Sequence, residues 1–280
     1  MSNDGARKIY LFSVDVEDDR CNDPSWQRFS GRVPGNVERY LEFLDGAGMQ
    51  CTFFVLGTIA RQYPSLVRQI AAAGHEIACH SNDHRVLASH DRKSFWHDLQ
   101  RNIEALEAAG VSRVSGFRAP CFSSVPATSW LYEILDEFGF RYSSSVIPAM
   151  NPLFGWPGFP QQPSRMHDTV WELPISLAPW PRLRVPCGGG VYFRLLPPFV
   201  LRQAMQRISR DGRPVIGYLH PHDIDPDQDR RAFPEFADRP FYNWLMFRNR
   251  RSVFDKLRMI VDEGFTIMRY DHYVARHLGD

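Results

Sequence analysis

Nothing in this 280-residue chain approaches the ~20 consecutive apolar residues that a membrane span requires. From Met1 to Lys8 it runs straight into Ile9-Tyr10-Leu11-Phe12, without the apolar core of a secretory leader. Cysteine is sparse and unpatterned. Cys21, Cys51, Cys79, Cys121 and Cys187 are odd in number, widely spread and form no CxxC pair, which argues against a secreted disulfide framework. Charge of one sign is missing as well: 33 Lys plus Arg stand against 32 Asp plus Glu, so there is no electrostatic footprint for nucleic acid. The Gly-x-Ser-x-Gly elbow of serine hydrolases does not occur. Gly188-Gly189-Gly190 is not followed by Lys-Ser or Lys-Thr, and no helix is expected directly after it. It therefore reads as a tight turn or a close backbone approach to a ligand rather than a phosphate loop. The expectation is a soluble cytoplasmic protein, with peripheral membrane contact left open.

What is present has a clear rhythm. A helical stretch, a glycine and a short apolar strand follow one another at Tyr40 to Gly48, Leu66 to Gly74, Ala105 to Gly110, Leu131 to Gly139 and Val253 to Gly264. Glycine just past a helix supplies the left-handed C′ residue, and an apolar strand after it marks a βαβ chain. Pro64 ahead of Ser65-Leu66-Val67 sits where a helix start tolerates a missing N–H. The spacing predicts an α/β protein with a parallel sheet, and its repetition favours a barrel whose strand C-terminal ends carry the chemistry. Residues 147–190, rich in Pro, Gly and Trp, break the rhythm as a long elaborated loop around a strand at Val170 to Leu173. Asp223 to Trp244 is a second irregular stretch. With no internal repeat and no low-complexity linker, residues 1–280 read as one domain. Aromatics make up 13% of the chain, enough to fill a core and still line a sugar-binding groove.

Asp15-Val16-Glu17-Asp18-Asp19 closes the first apolar run. On a strand, residues two apart share a face, so Asp15 and Glu17 point into one pocket, where one can bind a metal and the other accept a proton from water. Alternatively, the cluster is a solvated strand end. His80 and His84, four apart, fall on one face of a helical turn and can share an ion; ordinary hydrogen-bonded histidines are the competing reading. His220 follows the apolar run Pro214 to Gly217 and suits a general acid, with His222 the less favoured alternative. Arg118 either holds a carboxylate ionised or makes a simple salt bridge. Two imidazoles and one carboxylate leave coordination positions open, as catalysis requires.

In this order the pieces resemble the polysaccharide deacetylases of carbohydrate esterase family 4, in the branch found in bacterial exopolysaccharide and O-antigen clusters. The resemblance rests on Ser13 to Asp18, Thr52 to Gly57, Ala73 to Ile77, His80 to His84, Phe117-Arg118-Ala119-Pro120, Gly190 to Pro197, and Tyr218 to Pro221 followed by Ile224 to Asp227. It implies a distorted (β/α) barrel of about seven parallel strands and metal-dependent removal of an N-acyl group from an amino sugar. By position, Asp15 would be the general base, Arg118 its orienting residue and His220 the general acid. His80, His84 and Glu17 would be the metal ligands, with Asp18 the alternative to Glu17. Pro120, Cys121 and Trp171 are read as substrate contacts, and a backbone N–H near Cys121 as an oxyanion donor. Two departures stand out. Relatives often carry an aspartate where this chain has Arg141-Tyr142-Ser143-Ser144-Ser145, so a carboxylate partner for Arg118 is missing or comes from elsewhere. Cys121 replaces a frequent tyrosine or serine.

The implied ion is Zn²⁺, with Co²⁺ or Ni²⁺ also compatible with the donors. The implied substrate is an N-acetylated amino sugar, free, nucleotide-linked or lipid-linked. Two rivals remain: a metal-independent allantoinase-like amide hydrolase, and an inactive glycan-binding module using Trp156, Trp171 and Trp180.

Overall fold

The first strand, β1 (Ile9–Val16), is buried along its whole length, as befits a parallel strand covered on both faces. In the computed structural model, which describes residues 8–18, 31–180, 184–230, 233, 236 and 238–279, its alternation divides two cores. Tyr10, Phe12, Val14 and Val16 pack outward with Val37, Tyr40 and Leu44 of α1 (Val33–Gly46). Leu11 packs inward with Phe54, Ala78 and Ile216. Asp19 and Cys21, both noted in the sequence, lie outside the described residues.

Six strands follow β1 in parallel along the barrel path, β2 (Thr52–Val55), β3 (Glu76–Cys79), β4 (Gly116–Phe117), β5 (Tyr142–Ser143), β7 (Trp171–Glu172) and β8 (Val215–Leu219), and a further parallel strand, β9 (Thr266–Met268), pairs with β1 off that path. The spatial order is β7-β5-β4-β3-β2-β1-β8. Beyond β7 the chain runs on to Ser176, whose N–H donates to Ile216 O of β8 at 3.0 Å and whose Oγ accepts from Ile216 N at 2.8 Å. Those two bonds join the ends of the sheet into a distorted (β/α) barrel of seven parallel strands among the described residues, as expected. β6 (Ser164–Arg165) runs antiparallel to β7, and β9 meets the lower half of β1. β4, β5 and β7 span two residues each, which is the distortion.

Helices α2 (Gly57–Gln62), α3 (Pro64–Ala72), α4 (Arg92–Ala108) and α5 (Leu131–Glu137) connect the strands from β2 to β5, and α7 (Pro198–Arg210) and α9 (Val253–Asp262) follow later in the chain. All five predicted helix ends carry a glycine at positive φ, from 63° at Gly48 to 97° at Gly110. The remaining short helices, α6 (Gly190–Leu195), α8 (Pro240–Leu245) and α10 (Tyr270–Tyr273), sit in the irregular segments or at the end of the chain. Among the described residues no helix is long and apolar enough to cross a membrane.

The glycine triplet differs from expectation in two respects. Gly190 opens α6 directly, and the close approach made by Gly188 and Gly189 is to strand β8 rather than to a ligand. A Cβ on Gly189 would lie 1.9 Å from Tyr218 O, and one on Gly217 would lie 1.7 Å from Gly188 O. Backbone rests on backbone here, and the contact carries α6 across the barrel mouth toward the end of β8. Gly217→Ala should therefore destabilise the fold by about 2–3 kcal/mol through overpacking, seen as a lowered thermal midpoint. An unchanged midpoint would mean that the crossing is not tightly packed.

Candidate active site

Four strands each deliver a polar group to the barrel mouth at or just beyond their C-terminal ends: Asp15 from β1, His80 after β3, Arg118 after β4 and His220 after β8. The alternation that sends Val14 and Val16 outward turns Ser13 and Asp15 inward. Arg118 lies fully buried among them. Its Nη1 donates to Asp15 Oδ1 and to Ser13 Oγ, both at 2.6 Å. Nε donates to Ser144 O at 2.9 Å, and Nη2 to Ser144 Oγ at 2.9 Å and Tyr270 Oη at 3.1 Å. Every N–H of the guanidinium is thus satisfied, and its plane sits 4.0 Å from the Phe54 ring centroid. The missing aspartate is replaced by Ser144, and the carboxylate facing Arg118 is Asp15 itself.

The carbonyl of Arg118 has a second task. His80 Nδ1 lies 2.9 Å from it, and a carbonyl can only accept. Nδ1 must therefore carry the proton, leaving the Nε2 lone pair aimed at the cavity. His80 and His84 do not share a helical turn, contrary to the sequence reading. Residues 80–84 form a loop with Ser81 at φ 66° and His84 at φ 58°. The loop is pinned from behind. Asn82 N donates to Asp98 Oδ2 at 2.9 Å, and Asn102 Nδ2 donates to Ser81 O at 2.5 Å and Val55 O at 3.0 Å. Asp98 and Asn102 are fully buried on α4, and their i, i+4 spacing was the available sequence signal for this support.

Glu17 completes the cluster. Its Oε2 lies 2.6 Å from His84 Nε2 and 3.5 Å from His80 Nε2, and these donor atoms all fall within 4.8 Å of one another. Burial pushes the Glu17 carboxyl up, but the facing His84, His220 and His80 override it and hold the group well below the usual range. Asp18, the alternative ligand, is buried on the cavity wall and does not belong to this group of donors.

His220 Nε2 faces Glu17 Oε1 at 3.5 Å from the opposite side. Its Nδ1 lies 3.0 Å from Asp223 Oδ2, and Asp223 Oδ1 lies 2.7 Å from Arg194 Nε. Burial draws the imidazole down, but the Glu17 and Asp223 carboxylates raise it to about 9. Glu17, His220 and His222 form a second possible donor set. The His80 and His84 set is distinguished by geometry, since the His80 Nδ1 contact with the Arg118 carbonyl leaves Nε2 free for an ion, whereas His220 is engaged by Asp223. Sequence reasoning missed Asp223, Arg194 and Tyr270. The three-residue step from His220 to Asp223 was the local signal, while nothing local pointed to the other two.

Asp15, Glu17, Asp18, His80, His84, Cys121 and His220 line one cavity of about 390 Å³. Cys121 takes the left-handed conformation at φ 54°, and the neighbouring Phe122 N–H is spent on Ala119 O at 3.1 Å. Pro120 is buried and is not part of the wall. Trp171 is away from it as well, packed with the cluster around Tyr142 and Leu173, with the Arg165 guanidinium 5.7 Å from its ring.

A parallel (β/α) barrel with a two-imidazole, one-carboxylate cluster at the strand ends defines the class. Residues 22–143 match the polysaccharide deacetylase family, and residues 144–274 match a domain of unknown function, DUF3473. Within residues 22–143 the chain is therefore similar to the polysaccharide deacetylases. A chitooligosaccharide deacetylase from Rhizobium leguminosarum bv. trifolii is 33% identical over 105 residues, 37% of this chain and 49% of that protein. The chain thus spans about half the length of the curated relatives it matches. Among solved structures, a Mycobacterium smegmatis protein assigned to the polysaccharide deacetylases shares the fold with a TM-score of 0.68 at 22% identity, covering 98% of this chain and 92% of that one. A Bacillus anthracis family 4 pseudoenzyme shares it at 0.52 and 15% identity, over 95% of this chain and 65% of that one.

A folded-state value of about 9 against an ordinary 6.5 means that His220 stabilises the fold fully below pH 6.5 and loses this contribution as pH rises through 9. In metal-free protein, Asp223→Asn should lower the His220 pKa, read by NMR titration. It should also cost about 3–5 kcal/mol by stranding buried Arg194. An unshifted titration would show that Asp223 does not control His220.

Proposed function

We propose that this chain is a metal-dependent N-deacetylase acting on an N-acetylated amino sugar. The observation that carries the reading is the meeting of Glu17, His80 and His84 donor atoms within 4.8 Å, in the same cavity as Asp15 and His220. The donor set fits a divalent ion on its chemistry: two neutral imidazole nitrogens, one with its tautomer fixed by the Arg118 carbonyl, and a carboxylate. Zn²⁺ is the ion best suited to it, and Co²⁺ or Ni²⁺ can occupy the same donors. When bound, such an ion acidifies water and polarises the amide carbonyl.

The side chains supply the remaining steps. Asp15, fixed by Arg118, accepts the proton of the attacking water as a new C–O bond forms at the amide carbon. Arg118 limits that carboxylate to one orientation. His220, protonated and oriented by Asp223, gives its proton to the sugar nitrogen as the C–N bond breaks, so that acetate and a free amine leave. A cavity of about 390 Å³ has room for the acetamido group of such a sugar.

The groups above act only on the amide, so a free, nucleotide-linked or lipid-linked sugar fits them equally. The four described cysteines are free thiols, which fits a cytoplasmic setting in exopolysaccharide or O-antigen assembly. The whole chain is read as one working domain, because His80 and Arg118 come from one matched region and His220 from the other.

Asp15→Asn should lower deacetylation of N-acetylated sugars by about 10²–10⁴-fold while leaving bound metal and the fold in place, at a lowered thermal midpoint because buried Arg118 loses its counter-charge. His80→Ala should instead abolish stoichiometric metal. Acetate release that survives chelation would favour a metal-independent amide hydrolase, and glycan binding without any acetate release would favour an inactive binding module.

A further inference from the structure

Part of the cavity lining is apolar and adjoins exposed residues. Pro152 and Leu153 line it from the loop after β5, and Tyr242 and Met246 line it from α8 and the residue that follows. Arg239 Nη1 donates to Pro152 O at 3.4 Å and ties these two segments together. Immediately outside them stand side chains that a soluble surface has no reason to display. Met150 is 84% exposed, Phe241 65% and Trp244 48%. Phe241 and Trp244 stack with ring centroids 6.0 Å apart, and the Arg248 guanidinium covers the Trp244 ring at 4.6 Å. Large apolar groups clustered at the rim of a cavity mark a contact surface rather than scattered exposure.

Charge identifies the occupant. From Arg239 to Ser252 the sequence carries four arginines and no acidic residue. Arg239, Arg248 and Arg251 are exposed, and Asp238, 4.0 Å from Arg239, is the acid that borders them. Aromatic and thioether side chains ringed by exposed arginine are complementary to the interface of a bilayer containing anionic lipid: rings enter the headgroup boundary and guanidinium groups meet phosphate. A protein seated on the same rim would close the mouth through which substrate enters, whereas a headgroup layer would leave the mouth facing the membrane plane.

We propose that Met150, Phe241 and Trp244, with Arg239, Arg248 and Arg251, form a membrane-docking rim that presents the cavity mouth to an anionic lipid surface. The proposal stands on the surface alone and does not depend on the deacetylase reading. It also narrows that reading: among the three ways of carrying the sugar, a lipid-linked one would be met in place.

The test is co-sedimentation of the full chain with vesicles of phosphatidylethanolamine and phosphatidylglycerol, against phosphatidylcholine alone. Binding is expected on the anionic vesicles and should weaken with salt. The Phe241→Ser, Trp244→Ser double variant should lower the partition coefficient by about tenfold or more, and Arg248→Gln with Arg251→Gln should remove the preference for phosphatidylglycerol. Brominated lipid should quench tryptophan fluorescence of the unaltered protein, a measurement that needs no variant to fold. Three results would overturn the proposal: no sedimentation with anionic vesicles; binding and quenching unaffected in folded variants; or a doubled mass by light scattering that the double variant reverts, which would make this face a contact between two copies.

Discussion

The buried pair of Asp15 and Arg118 is the constraint around which the mouth of the barrel is organised. A guanidinium out of water is costly unless every N–H is matched, and here the five bonds draw on β1, the segment after β5 and α10. Matching it therefore fixes the relative positions of these segments. The same residue, through its carbonyl, selects the His80 tautomer. One side chain and its own backbone thus couple the candidate base to a candidate ligand. A displaced Arg118 would disturb both, which makes this residue structural and chemical at once.

The site is divided across the chain in a way that the family matches make visible. His80, His84 and Arg118 fall within residues 22–143, whereas His220, Asp223 and Arg194 fall within residues 144–274. Asp15 and Glu17 precede both ranges. Neither region holds a complete set, and the central strand β1, paired with β2 on one side and β8 on the other, brings the two into register. Gly188, Gly189 and Gly217 let the second region cross that sheet closely enough to deliver α6, and with it Arg194, beside the end of β8. Lys256 then fixes the end of α6, its amine donating to the carbonyls of Phe193, Arg194 and Leu196.

The order of helices and strands was legible because it is written in local chemistry. Glycine at a left-handed helix end, proline at a helix start and apolar runs of strand length each act over a few residues, and the structure keeps all five of the predicted punctuation points. The short histidine spacing pointed to His80 and His84, whereas the choice of Glu17 over Asp18 as their partner came from the family resemblance and not from the strand period. The helical turn assigned to His80 and His84 failed because residues four apart can also meet across a loop. Here the peptide bonds of that loop are held by Asp98 and Asn102, and Ser81 and His84 bend to positive φ. Trp171 was an expectation from composition, and its ring went to the packed cluster around Tyr142 instead.

By itself the sequence determined the alternation of β1, and so the fact that Ser13 and Asp15 share a side while Val14 and Val16 take the other, because side-chain direction along a strand is a property of the backbone. It also determined where helices stop, because left-handed backbone is cheap for glycine alone. Which acid faces which base was decided only by the tertiary structure. Arg118 reaches Asp15 across 103 positions and Tyr270 across 152, and Arg194 reaches Asp223 through a crossing of glycine backbone. Those pairings arise from satisfying buried charge, a condition that exists only once the barrel has excluded water.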